Sequence, residues 1–371
     1  MLVHIVPATP PAVNGLGDYC YKLWEHWPAP KPDWHCLAVQ VPQGGPELWP
    51  EVGISSFTLS RAGLVQALEE VGATSVVLHY VGYAYHPKGC PVWLAPALME
   101  WKRRTGGRLV VMFHELYAKG SPRQSSYWLA PFARKIVADL AGAADKWITN
   151  CVAAEDKLLA ETNARPDRGK MIPVGSNIPR VREVDAIKPW PLSHGRKLKI
   201  VVFGLPATRR RTLAEHRNLL RHLCHQELVE SVTLAGKADD ARDTALTNSF
   251  ISGMGFEELW RCRYGLSTPD LSSMFLEQDL GLVPNSPALL TKSTVYAAFC
   301  THGTTVVAVQ GNGNTDTFAP ALLNDDAHPE VCMKQLADEN TVGDARQRTL
   351  TAAKTVLSWE SIVREWQECV A

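Results

Sequence analysis

Four short stretches of this chain combine residue types that can do chemistry. Asn14-Gly15-Leu16-Gly17-Asp18-Tyr19 joins two glycines to a carboxylate. Glycines let backbone amides come close to an anion, and a helix beginning there favours negative charge through its dipole. The same residues would also serve as a plain helix start, with Asp18 as cap and the glycines shaping the turn. Met112-Phe113-His114-Glu115 sets an imidazole beside a carboxylate, a pair able to bind hydroxyls or orient one another; a strand-end histidine satisfied by nearby backbone is the bland alternative. Phe203-Gly204-Leu205-Pro206-Ala207-Thr208-Arg209-Arg210-Arg211 runs through a glycine-proline turn into three guanidiniums. Their fork geometry suits a diphosphate, and cations oppose the dipole at a helix start, so at least one is expected to reach a ligand. Last, Leu290-Thr291-Lys292-Ser293-Thr294 precedes the apolar run Val295–Thr301. A lysine, a hydroxyl and the amides of a helix start would form an anion cradle without a metal; otherwise Ser293 is an ordinary N-cap and Lys292 a solvated lysine.

The elements that must position these groups read as an α/β chain. Strands are expected at Leu2–Val6, Cys36–Val41, Ser75–Tyr80, Arg108–Phe113, Lys146–Asn150 and Lys170–Val174, alternating with helical patterns near Asp18–Trp27, Arg61–Val71, Val92–Thr105, Ser125–Ala143 and Ala154–Glu161. Such alternation, with right-handed crossovers, implies a doubly wound parallel sheet. Pro179–Arg196 holds three prolines and little periodicity, which marks a linker. A second series follows: strands at Lys199–Phe203, Ser231–Ala235, Asp279–Val283 and Thr304–Val309, with helices at Thr212–Gln226 and Ser286–Thr301. The tail from Thr349 to Cys369 reads as helix throughout, and Trp359 and Trp366 need an apolar surface to cover them. In parallel sheets of this kind ligands bind beyond the carboxyl ends of the strands, where all four stretches fall.

Composition narrows the function classes. With 371 residues, 46% hydrophobic, and acidic and basic residues equal at 38 each, the chain is globular, long enough for two domains, and carries no net field to draw nucleic acid. No nucleic-acid partner and at most peripheral membrane contact are expected. Nine scattered cysteines with no Cys-x-x-Cys pair read as reduced thiols of a cytoplasmic protein, and no signal peptide or spanning helix is expected. His216, His222, Cys224 and His225 share a helical stretch but fall short of the convergent set zinc needs, so no metal site is expected. A nicotinamide-binding fingerprint is disfavoured: Cys20 stands where the third glycine belongs and Gln40-Val41 where an acid should end the second strand.

Taken in order along the chain, these motifs resemble the retaining glycosyltransferases of GT-B fold known as glycosyltransferase family four. Gly15-Leu16-Gly17-Asp18-Tyr19 resembles the family's glycine loop facing the donor diphosphate, and Phe113-His114-Glu115 its strand-end histidine near the transferred sugar. Phe203-Gly204 with Arg209–Arg211 is similar to the donor-phosphate region, Lys292-Ser293 through Gly303-Thr304-Thr305 to the closing donor segment, and Trp359-Glu360-Ser361-Ile362 to the tail that returns to the first domain. The resemblance implies an N-terminal acceptor domain over residues 1–178, a linker over 179–196, a nucleotide-sugar donor domain over 197–350 and a crossover helix over 351–371, the two Rossmann-like domains facing each other across a cleft. It further implies catalytic roles for His114, Glu115 and Asp18, donor binding by Gly15, Gly17, Gly204, Arg209, Arg210, Lys292, Ser293 and Thr294, and metal-independent transfer with retention to a sugar, lipid or small-molecule acceptor, the donor being a substrate and no cofactor being needed. One departure concerns the family's paired glutamates: counting back from Gly303, those positions hold Leu290 and Ala298. An epimerase or phosphorylase on the same frame, or a non-catalytic binding protein, are the alternatives.

Overall fold

Aliphatic and β-branched runs too short for helices form the strands of two wholly parallel sheets. In the computed structural model, which describes residues 1–12, 14–118, 120–182, 189–311 and 320–371, the chain divides into two units, Met1–Pro173 with Trp359–Ala371, and Val174–Ser358.

The first unit contains β1 (Leu2–Ala8), β2 (Trp34–Gln40), β3 (Gly53–Ser56), β4 (Ser75–Tyr80), β5 (Arg108–Phe113), β6 (Lys146–Thr149) and β7 (Gly169–Met171). They pair in the order β3-β2-β1-β4-β5-β6-β7. The second contains β8 (Leu198–Gly204), β9 (Val229–Gly236), β10 (Trp260–Tyr264), β11 (Leu280–Leu282), β12 (Thr305–Val309) and β13 (Leu322–Asn324), in the order β10-β9-β8-β11-β12-β13. Each sheet therefore reverses direction once, between β1 and β4 and between β8 and β11, and in a doubly wound sheet the ligand crevice opens beyond the carboxyl ends at that switch point.

Several sequence expectations need revision. Strands β3, β10 and β13 join their sheets without a strong apolar signature; Gly53–Ser56, for example, has no buried residue, because an edge strand is held by its ladder bonds more than by its side chains. The helix expected from Thr212 to Gln226 starts at Pro206 and breaks at His216. Proline's fixed φ suits the first helical position. His216 is buried at the break, where its Nε2 bonds the Val283 carbonyl at 2.9 Å and its Nδ1 the Asn324 amide at 3.0 Å. Ser286–Thr301 is likewise two pieces, a 3-10 stretch Pro287–Lys292 and a helix Thr294–His302, divided by Ser293 in an extended conformation.

The second unit starts at Val174, ahead of the expected linker. The end of that stretch is anchored within it: buried Trp190 donates to the Leu336 carbonyl at 2.8 Å, while residues 183–188 lie outside the described residues. The tail is not one helix either. Helix Glu339–Lys354 stops at Thr355, and Trp359–Val370 begins anew as part of the first unit, with Trp359 and Trp366 buried. Among the described residues no helix is long and apolar enough to cross a membrane.

Candidate functional site

In the first unit the switch point is lined by aromatic and imidazole rings. His4 on β1 and His79 on β4 point to the same sheet face, since His4 pairs with Val77 and His79 lies two residues further along. His4 Nδ1 lies 3.0 Å from His79 Nε2, and His79 Nδ1 lies 3.0 Å from Nε2 of His114, just past the end of β5. His4 and His79 are fully buried and His114 is half-buried. Trp34 stacks on His4 with ring centroids 4.1 Å apart, Tyr19 meets His114 edge-on at 5.3 Å, and Trp366 from the terminal helix covers His79 while donating to the Tyr19 hydroxyl at 2.8 Å. Burial keeps the inner imidazoles neutral: it lowers the pKa of His4 to about 3 and that of His79 well below the ordinary range, where His4 and His114 push it further down.

His4, Cys20 and His79 offer donor atoms within 4.8 Å of one another. Three donors are one fewer than a closed zinc site takes; the two imidazoles are hydrogen-bonded to each other and the Cys20 thiol lies 3.9 Å from Cys36 Sγ, so the two rings are the inner end of a hydrogen-bonded chain and Cys20 stands beside it.

The glycine loop is partly structural. Asn14, not Asp18, caps helix Gly15–His26, accepting from the Leu16 and Gly17 amides at 3.1 and 3.3 Å. Gly17 is required by packing, because a Cβ there would stand 2.1 Å from the Ala8 carbonyl oxygen at the end of β1, whereas Gly15 faces open space. Asp18 sits in the first helical turn, and burial raises its pKa to about 6 against the opposing charge of Lys22. Glu115 is exposed, and the backbone amide of His114 donates to the Tyr80 carbonyl at 3.1 Å. Beyond β5 a cavity of about 690 Å³ is lined by Tyr117, Tyr127, Trp128, Pro131, Arg134 and Glu161.

In the second unit the three arginines part company. Arg209 is turned inward and is 2% exposed. It pairs with the buried carboxylate of Asp239, donates to the carbonyls of Gly204 and, at 2.9 Å, Lys237, and lies 4.5 Å from the centre of the Tyr264 ring. The expectation that Arg209 binds a phosphate is therefore corrected: its donors tie the ends of β8 and β9 together, where Gly236 leaves no room for a Cβ against the Gly204 carbonyl. Arg210, half-buried, pairs with Asp243, and Arg211 is exposed.

Two of the predicted stretches do meet. A Cβ built on Gly204, whose φ is +134°, would lie 3.7 Å from Val295, so the turn after β8 rests against the first turn of helix Thr294–His302. Ser293 caps that helix by accepting from the Tyr296 amide at 3.2 Å, and Lys292 beside it forms no ion pair or side-chain hydrogen bond among the described residues. Leu290, in the 3-10 stretch, and Ala298, in the helix, are both in the apolar core, so neither position offers a carboxylate where the resembled family has its pair. A second cavity, about 560 Å³, lies among Lys199, Glu230, Asp279 and their neighbours at the opposite, amino-terminal end of β8 and β11.

His4 and His79 were missed in sequence. Nothing local distinguishes them from other strand residues; the signal was a histidine in each of the two strands that flank the switch point, legible only with the strand order.

No family profile and no curated protein sequence matches the chain. Solved structures do. Sucrose-phosphate synthase from Thermosynechococcus elongatus superposes with a TM-score of 0.69 at 13% identity, covering 99% of this chain and 98% of that one. HepE of Anabaena, in complex with UDP, gives 0.67 at 13% identity over 99% of both chains. WaaG, a glycosyltransferase involved in lipopolysaccharide biosynthesis, gives 0.66 at 11% identity over all of both. At such identities the likeness establishes architecture, and it runs the length of the chain: this protein has the GT-B fold, with two Rossmann-like domains and a terminal helix that belongs to the first.

Proposed function

We propose that the protein is a glycosyltransferase that moves a sugar from a nucleoside-diphosphate sugar to an acceptor hydroxyl. The observation that carries this reading is the pairing of full-length GT-B architecture with polar groups at both switch points, the imidazole chain ending on His114 in one domain and the Gly204 turn against the Lys292-Ser293-Thr294 helix start in the other. Solved neighbours include HepE in complex with UDP and glucose and with UDP-glucose, which favours a uridine nucleotide as the first donor to try.

In this reading Lys292, the Gly204 turn and the first-turn amides of helix Thr294–His302 hold the diphosphate and stabilise the charge that grows on it as the glycosidic bond breaks. A metal-independent reaction follows if that positive field suffices. Arg210 has its charge offset by Asp243 and adds little to that field, and Arg209 acts on the frame alone. His114 hydrogen-bonds the transferred sugar. Asp18, with a pKa of about 6, is a carboxyl able to exchange a proton near neutral pH, while exposed Glu115 and the Gly15–Gly17 turn, open on the Gly15 side, meet the donor or acceptor from the same edge. The cavity beside Tyr127 and Trp128 suits the apolar part of a sugar, lipid or small-molecule acceptor. Retention of configuration and a cytoplasmic location belong to the same reading.

Titration calorimetry with uridine, guanosine, adenosine and cytidine diphosphates, followed by a screen for diphosphate release from the matching sugar nucleotides, tests it. Binding of at least one diphosphate and its release on adding an acceptor are expected. Binding without release in any acceptor mixture would favour a non-catalytic GT-B protein, made credible by Leu290 and Ala298, and no binding at all would refute the reading.

A further inference from the structure

The line His4–His79–His114 crosses from the fully buried interior of the first domain to its ligand edge, and each junction is a hydrogen bond of 3.0 Å. Among the described residues no carboxylate hydrogen-bonds His4 or His79, and burial disfavours charge on both. Each of these rings therefore carries one N–H and one bare nitrogen. Two neutral rings in series leave only two proton arrangements, because each junction needs one donor and one acceptor. Either the rings donate outward, His4 Nδ1–H to His79 and His79 Nδ1–H to His114, or they donate inward, from His114 Nε2–H to His79 and from His79 Nε2–H to His4.

The inner end decides between them. His4 Nε2 is buried without a hydrogen-bond partner. Inward donation would leave a proton on that atom, an orphaned buried N–H, which folded proteins avoid more strictly than an under-satisfied acceptor. Outward donation leaves a bare nitrogen there instead. Trp34 stacked on His4, and Tyr19 and Trp366 packed around His79, hold the ring planes.

We propose that His79, backed by His4, is a positioning residue for His114: by donating from Nδ1 to His114 Nε2 it fixes the ring plane of His114 and holds it as the Nδ1–H tautomer. At the ligand edge His114 thus carries its proton on Nδ1, in a ring whose plane is fixed from behind. The functional part of this inference rests on the proposed role of His114 beside the sugar; the tautomer itself does not.

The test uses the full-length, ligand-free protein labelled with ¹⁵N, in which long-range proton–nitrogen correlation spectra distinguish protonated from bare ring nitrogens, the His114 signals being identified by their loss in His114→Ala. Nδ1–H at His114 is expected in the native chain. It should give way to a mixture of tautomers in His79→Phe, which keeps the packed ring but no donor, and return in His79→Asn, whose amide can stand in for Nδ1–H. If a donor is turned over, His79→Phe should lower kcat by about 10- to 100-fold with donor KM moved less than about threefold, as expected when an imidazole loses the group that orients it, and His79→Asn should restore most of that loss. Protonation of native His114 at Nε2, or a His114 tautomer unchanged in His79→Phe, would overturn the proposal. The native spectrum alone decides the first point even if His79→Phe does not fold, and both readouts stand whether or not any sugar nucleotide is consumed.

Discussion

The two domains treat the polar groups at their switch points in opposite ways. In the first, two buried neutral imidazoles and a third, half-buried one are hydrogen-bonded in line from the core to the ligand edge, so the outermost ring is oriented by those behind it. In the second, the most conspicuous cation, Arg209, is drawn inward onto Asp239 and backbone carbonyls, and the outer edge is left to Lys292 and a helix start. A cluster that looks functional in sequence can be framework, and a strand residue that looks like core can serve the site. What separates the cases is whether each donor already has an acceptor inside the fold.

Replacing Arg209 gives the largest expected effect. Arg209→Ala would strand a buried carboxylate and should cost about 3–5 kcal/mol of stability, as loss of one member of a buried ion pair commonly does. Urea unfolding checks it; a stable variant with weakened diphosphate binding would reverse the contrast. Lys292→Ala should do the reverse, leaving the unfolding midpoint in place while weakening nucleoside-diphosphate affinity about 10- to 100-fold, the loss of one charge-assisted hydrogen bond of about 1.5–3 kcal/mol. Calorimetry on both variants draws the line between framework and ligand contact.

Asp18 gives the smallest effect. Its carboxyl is raised from 3.8 to about 6 in the folded chain, so ionising it costs folding free energy, and that cost grows as pH rises from about 4 through about 6. Asp18→Asn should therefore match the native melting temperature at pH 4 and exceed it modestly at pH 7. Equal melting temperatures at both values would mean that the carboxyl is not buried as the structure has it.

Most of the sheet framework was legible because buried parallel strands are nearly continuous apolar runs: Ser75–Tyr80 and Arg108–Phe113 were bounded to the residue. Gly53–Ser56 was not, since an edge strand with exposed side chains carries no such run. Helix breaks at His216 and Ser293 were hidden because each depends on a hydrogen bond, from His216 to Val283 and from the Tyr296 amide to Ser293, and the first of these partners lies 67 residues away. At the site, His114 and Lys292 were visible from their place after or between expected elements. The histidine chain was not, because its members lie 75 and 35 residues apart and meet only once β4 is known to pair with both β1 and β5. Arg209 misled because three adjacent guanidiniums read as one feature, while the fold gives each a different partner.

The most direct measurement compares native protein with His114→Ala in two assays on the same preparation, calorimetric binding of the nucleoside diphosphate that the native chain prefers and its release from the corresponding sugar nucleotide in the presence of acceptor. Diphosphate affinity is expected to be unchanged and turnover to fall about 10²- to 10⁴-fold, the range typical when a positioned proton-transfer or hydrogen-bonding group is lost from a reaction. Equal turnover in the two proteins, or no nucleoside-diphosphate binding by either, would contradict glycosyl transfer at this site.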